Sequence, residues 1–203
     1  MVQETCNRPI CALALISDAE KVPISKKEKH QFTDVMLMLA VHRLPMQKQA
    51  AKDMHKLTLA IPQFCAHFAE DKLAILYLLS PLELLDEDAD AKLQDDIIKT
   101  VFNIPTHDEN IKGFGNNPDV ISCVIKSLDT GNAKTKVRAA NILFTLSTYN
   151  DNKLVIGDCG CLKSLLHIIK GKEDYSSMMY AVKVIFNMCM IKRNRLKAID
   201  DGA

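Results

Sequence analysis

Tryptophan is missing from this sequence, and the other aromatic residues are few, four Tyr and seven Phe among 203 residues. So few rings give no stacking platform for single-stranded nucleic acid. A charge of one sign is missing too. Lys and Arg number 26 against 25 Asp and Glu, a formal net charge of +1, so no global field draws the chain to nucleic acid or to an acidic membrane. No uncharged apolar run approaches the roughly 18 residues that a membrane-spanning helix needs. The short apolar stretch ICALALI (10–16) follows Arg8, but Glu4 precedes it and no small-residue cleavage site ends it, so it does not read as a signal peptide. Glycine-rich phosphate loops and Gly-x-Ser-x-Gly turns are absent. The acidic run DEDAD (86–90) lacks the glycine and the distal Glu of a calcium loop and reads as a solvated connector.

The seven cysteines (Cys6, Cys11, Cys65, Cys123, Cys159, Cys161, Cys189) are odd in number and scattered through apolar pattern. That is the usage of reduced thiols, and it points to the cytoplasm or nucleus. Cys159 and Cys161 form a Cys-x-Cys pair, yet no neighbouring pair of His or Cys completes a four-ligand set, so both read as small buried hydrophobes. The six His share no motif with a nucleophile, and His167, on an otherwise apolar helix, reads as a half-buried core residue. No catalytic residue, no cofactor and no metal is expected.

What the sequence does contain is a phrase written three times. FNIPTHDEN, FTLSTYNDN and FNMCMIKRN begin at Phe102, Phe144 and Phe186, each 42 residues after the last. At that offset whole columns agree: Ile97, Ala139 and Ala181; Ile98, Ala140 and Val182; Val101, Leu143 and Ile185; Ile104, Leu146 and Met188; Asn110, Asn152 and Asn194. Within a copy the apolar positions fall at i, i+1, i+4, i+5 and i+7, a broad helical face that includes the Phe. Asn117 before Pro118 reads as an N-cap with Pro at the first helical position, Pro105 as a stop, and Gly131, Gly160, Gly171 and Gly202 as turns. Each unit then holds a helix such as 118–128, a long helix such as 134–147 and a short helix near 152–156. Asn152 is placed to bond loop backbone.

A weaker earlier copy, AAKDMHKLTLAIPQFCAHF (50–68) followed by LAILYLLSPLELL (73–85), has the same stop at Pro62. A period in the low forties with three helices predicts an all-α, armadillo-type, right-handed superhelical solenoid of about three and a half repeats. The expected organisation is an uninformative segment at 1–25, a capping helix at 26–45 within KKEKHQFTDVMLMLAVHRL, and repeats over 46–203. The units run at about 46–90, 91–133, 134–174 and a shortened 175–203. Apolar residues of that last unit, such as Val182, Ile185 and Phe186, are expected to lack cover and to favour self-association.

QKQAAKDMHKLTLAIPQFCAHFAED, the repeated Phe-to-Asn phrases, FTLSTYNDNKLVIGDCG and the closing IDDGA resemble the armadillo region of plant U-box ubiquitin ligases, over roughly 28–203. In that family an upstream U-box recruits a ubiquitin-conjugating enzyme, and the armadillo array binds substrates or receptor kinases. The family's U-box opens on a Cys-Pro-Ile-Ser-like phrase, keeps a tryptophan and has a later Cys-Pro pair. This chain has Val-Pro-Ile-Ser at 22–25, no Trp and no Cys-Pro. The resemblance therefore implies a recognition module in the ubiquitination pathway, with no ligase activity expected of this chain alone. The alternatives are a free-standing armadillo adaptor and a ligase acting through its N-terminal segment.

Armadillo proteins line a groove with their long helices, where an Asn on the residue after the repeated Phe bonds an extended peptide's backbone. Carried over residue by residue, the candidate groove is Asp96, Lys99 and Asn103; then Arg138, Asn141 and Thr145; then Tyr180, Lys183 and Asn187. Asn103 and Asn187 match the ladder, and Thr145 departs from it. The expected partner is a protein or extended peptide, either a ubiquitination substrate or a receptor kinase.

Overall fold

The computed structural model describes residues 23–202 apart from 84–89, 105–107 and 172–173. Most of the N-terminal segment, Cys6, Cys11, Pro105, His107 and all of DEDAD except Asp90 lie outside the described residues. Among those described there are twelve helices and no strand: α1 (Lys26–Ala40), α2 (Leu44–Ala60), α3 (Gln63–Glu70), α4 (Lys72–Glu83), α5 (Ala91–Asn103), α6 (Asp108–Gly115), α7 (Pro118–Thr130), α8 (Ala133–Ser147), α9 (Asn150–Asp158), α10 (Cys161–Lys170), α11 (Tyr175–Met188) and α12 (Lys192–Asp200).

Their boundaries follow from local chemistry. Ser25 opens α1 with a capping box, its hydroxyl accepting from the Glu28 backbone while the Glu28 carboxylate accepts from the Ser25 backbone at 2.8 Å. The helix stops at Ala40, short of the expected residue 45, because Pro45 in a continuous helix would strike the carbonyl of Val41. Asp90, Asn117, Asn132 and Asp174 cap α5, α7, α8 and α11 through their side chains. Gly160, at φ 82, makes the left-handed turn from α9 into α10.

Every third helix packs on the one three before it. The long helices α2, α5, α8 and α11 form one row, α1, α4, α7 and α10 a second, and the short helices α3, α6, α9 and α12 a third. A single core runs between the rows. Phe32 of α1 anchors its first end, stacked on Phe64 at 4.5 Å and edge-on to Phe68 at 5.6 Å.

The repeated columns behave differently from one another. Ile97, Ala139 and Ala181 are fully buried, as are Ile104, Leu146 and Met188. The Phe column does not join them: Phe102 and Phe144 are half-buried, and Phe186 is 72% exposed. Each Phe stands one residue from the polar stripe, at the edge of the apolar face rather than its centre. The fully buried rings are Phe68 and Phe114 of the short-helix row.

The Asn column is buried throughout and does more than bond its own loop. Asn110 Nδ2 donates to the carbonyls of Ile104 and Cys65, Asn152 Nδ2 to Leu146 and Ile111, and Asn194 Nδ2 to Met188 and Lys153, all between 2.8 and 3.2 Å. One carbonyl closes the C-terminal end of the long helix just before it. The other belongs to the previous short helix, so each Asn ties its repeat to the one before. Gly115 and Gly157 leave the room: a Cβ on Gly115 would fall 2.0 Å from Asn152 Nδ2, and one on Gly157 2.2 Å from Asn194 Oδ1.

Candidate interaction surface

On the solvent side of the long-helix row Lys183 is exposed and seven other candidate residues are partly exposed; Asp96 is buried at 7%. Helical spacing places Lys99 and Asn103 of α5, then Arg138, Asn141 and Thr145 of α8, then Tyr180, Lys183 and Asn187 of α11, on one stripe per helix. Neighbouring stripes are joined side chain to side chain. Asn103 Nδ2 donates to Thr58 Oγ1 of α2 at 3.2 Å and lies 3.4 Å from His55 Nδ1. Between α5 and α8, Asp95 receives the Arg138 guanidinium at 2.5 Å and the Thr135 hydroxyl at 3.0 Å. The Lys99 ammonium reaches both Asp95 and Asp96 at 2.8 Å. At the last junction Asn187 Nδ2 donates to Ser147 Oγ at 3.0 Å.

Charge along the α5–α8 seam is thus compensated. Burial alone would raise the Asp95 pKa, but Lys99, Arg138 and the Thr135 hydroxyl outweigh it and hold the carboxyl below its ordinary value. Burial would likewise lower that of Lys99, and the two carboxylates raise it instead. His55 is pushed down by burial and then by Lys99, which favours its neutral form beside Asn103. The α8–α11 end is of another kind. The Phe144 and Tyr180 rings meet at 6.1 Å, and the Lys183 ammonium sits 5.4 Å from the centroid of each. Thr145 turns its hydroxyl to the Asn141 carbonyl at 3.1 Å.

Lys99 and Arg138 were expected as groove cations facing a ligand; their carboxylate partners are what sequence reasoning missed. Asp95 stands one position from the chosen column, and only the helix-to-helix register reveals that it bridges two repeats. Thr58 and His55 sit in the weakly matching first copy, where columns are hard to align. Elsewhere, His167 is exposed on α10, beside Asp129, Lys163 and Lys170, rather than half-buried. Cys161 is fully buried, and burial pushes its thiol up, as it does that of Cys159 and, to about 12, that of Cys65. Such thiols pack; they are poor nucleophiles. Among the described residues no three His, Cys, Asp or Glu gather as a metal site, and no helix is long and apolar enough to cross a membrane.

Residues 66–203 match the family described as the plant U-box protein ARM repeat region. The chain belongs to that family. Among curated relatives in Arabidopsis thaliana, U-box domain-containing protein 9 is 35% identical over 144 residues, 70% of this chain and 31% of the relative. Putative U-box domain-containing protein 46 is 33% identical over 159 residues, 77% of this chain and 34% of the relative. The chain spans about a third of the length of these relatives. Among solved structures, an engineered protein superposes with a TM-score of 0.67 at 20% identity, over 89% of this chain and 71% of that one. A second engineered protein gives 0.63 at 18% identity, over 85% and 68%. These likenesses carry the fold of this plant U-box armadillo region, a helical solenoid, and not a partner.

Proposed function

We propose that this armadillo region is a protein-recognition module and that the solvent side of its long-helix row binds an extended segment of a partner, a ubiquitination substrate or a receptor kinase. The observation that carries the reading is the set of half-exposed amides, Asn103, Asn141 and Asn187, one on each of three successive long helices. Packed helices stand about 10 Å apart, and an extended chain advances about 3.3 Å per residue, so such a segment meets one long helix about every third residue, with Asn141 one helical turn off the line through Asn103 and Asn187. Asn187 keeps an acceptor oxygen and a second amide hydrogen beyond its bond to Ser147, and Asn103 keeps an acceptor oxygen beyond its contacts with Thr58 and His55. The Asn141 amide enters no hydrogen bond among the described residues and is available whole.

Selection from a random library of extended peptides tests the reading. Asn141→Ala together with Tyr180→Ala should leave the helical circular-dichroism signal intact and weaken selected peptides about tenfold, the worth of about 1.4 kcal/mol. Peptides that bind the double variant as well as the parent chain would move the site to another row or to α1. Mixed with activating enzyme, conjugating enzymes and ubiquitin, the 203-residue chain should build no ubiquitin chains. Robust chain building by the purified chain would put the catalytic function inside it.

A further inference from the structure

Building on that reading, we propose that the long-helix row selects acidic segments, with Asp or Glu alternating with a bulky apolar residue. The chain as a whole is balanced, but its charge is sorted by row. The four long helices hold nine Lys or Arg against three Asp, leaving seventeen basic and twenty-two acidic residues elsewhere. α8 alone has Lys134, Lys136 and Arg138 and no carboxylate, and α11 has Lys183 and none.

The three carboxylates are already committed. Asp53 pairs with Lys56, and Asp95 and Asp96 hold Lys99 and Arg138. Three exposed cations, Lys92, Lys134 and Lys183, have no carboxylate within ion-pair distance among the described residues and lie on the first turn of α5, the first turn of α8 and the middle of α11. The rings beneath Lys183 hold its ammonium without cancelling its charge. Beside it Val182 is 54% and Phe186 72% exposed, apolar surface next to an uncompensated cation. An acidic residue followed by a bulky apolar one is complementary to that pair. A nucleic acid would also answer the charge, but the stripe's rings are half-buried against one another and offer no open face for successive bases.

The test uses the full chain and fluorescent peptides of about nine residues, the length that crosses three helix junctions. Each alternates Leu or Phe with Glu, with Gln or with Lys. The Glu peptide should bind about tenfold tighter than the Gln peptide at about 0.05 M salt, and the margin should vanish near about 0.5 M. The triple variant K92Q/K134Q/K183Q, which leaves every internal ion pair in place, should erase the margin while its melting curve stays with that of the parent. Equal binding of the Glu and Gln peptides, both weakened about tenfold in the Asn141/Tyr180 double variant, would overturn the acidic preference and leave the recognition site standing. If no peptide of any charge binds, both readings fall. Displacement of the Glu peptide by a single-stranded RNA at equal or lower concentration would overturn the choice of a protein segment.

Discussion

Along the short-helix row, repeat is joined to repeat by one device used three times, a buried Asn reaching back to a backbone carbonyl. Along the long-helix row the junctions vary: an amide donates to a hydroxyl between α2 and α5 and again between α8 and α11, where aromatic rings join it, but between α5 and α8 a carboxylate is shared by two cations. Backbone carbonyls are the same in every repeat, so a contact made to them can recur unchanged. Contacts between side chains need both partners to be kept, and the solvent face of a binding row is where partners vary. The first seam sets the register of the solenoid, and the second is where one copy is told from another.

The largest expected effect sets an aromatic from each row against the other. Phe114, fully buried in α6, should cost about 3–5 kcal/mol on change to Ala. Phe144→Ala should cost about 1–2 kcal/mol, since the half-buried ring loses only its contacts with Tyr180 and Lys183. Phe186→Ala should change stability by no more than about 0.5 kcal/mol while reducing self-association, read by light scattering, because its exposed ring and Val182 form the apolar edge of the last long helix. Thermal melts that rank Phe144 with Phe114 would return the repeated Phe to the core.

The short-row seam can be broken from either side. Asn152→Ala takes a donor from two carbonyls, and Gly115→Ala drives a methyl into the same amide, so each should cost about 2–3 kcal/mol. In the Asn152→Ala background the Gly115 change should become cheaper by about 1 kcal/mol or more, since the clash is gone. Additive costs in denaturant titrations would mean that the glycine is not there to seat the asparagine.

Much of this was legible in the letters. The 42-residue columns give the helices, their caps at Asn117 and their stop before Pro62, and the Asn column stands out because a polar residue recurs among apolar ones. The errors are of one kind: periodicity tells which residues share a helix face but not how far a neighbouring helix reaches over it. Phe102, Phe144 and Phe186 have the same letter, yet the first two are half-buried and the third is exposed. Asp95 carries no mark of its role, because its partner Arg138 lies one repeat away. The sorting of charge by row is hidden in the whole-chain balance and emerges only once each Lys is assigned to its helix.

A smaller effect tests the charged junction of the long row. Asp95→Asn leaves Lys99 with Asp96 but takes the carboxylate from Arg138, and should cost about 1 kcal/mol at neutral pH, since Asp95, Lys99 and Arg138 are partly solvated. Because the Asp95 pKa is lowered in the folded chain, its contribution is fully present above the unfolded value, about 3.9, and is lost as the pH falls through the folded one. The parent chain should progressively lose its stability advantage over Asp95→Asn as the pH falls below about 4. An advantage that does not shrink as the pH falls below the unfolded value would mean that it does not come from the ionised carboxylate.

The smallest expected effect lies at Thr145, the one place in the column after the repeated Phe that lacks an amide. Thr145 is half-buried, and its hydroxyl is turned to the Asn141 carbonyl, a bond that a helix does not need for its own ladder. Thr145→Asn should therefore move the melting curve by no more than about 0.5 kcal/mol, Asn and Thr having nearly equal helix propensities. An amide there would stand between those of Asn103 and Asn187, each of which gives a hydrogen to a neighbouring helix. A new hydrogen bond to a peptide backbone is worth about 0.5–1.5 kcal/mol, so a selected peptide should bind the variant as well as the parent or up to about tenfold tighter. The gain should survive high salt, unlike the preference for Glu over Gln, because an amide carries no charge to screen. Weaker binding with the fold unchanged would mean that the peptide path leaves the row at α8, and that Asn103 and Asn187 serve only the helices they already join.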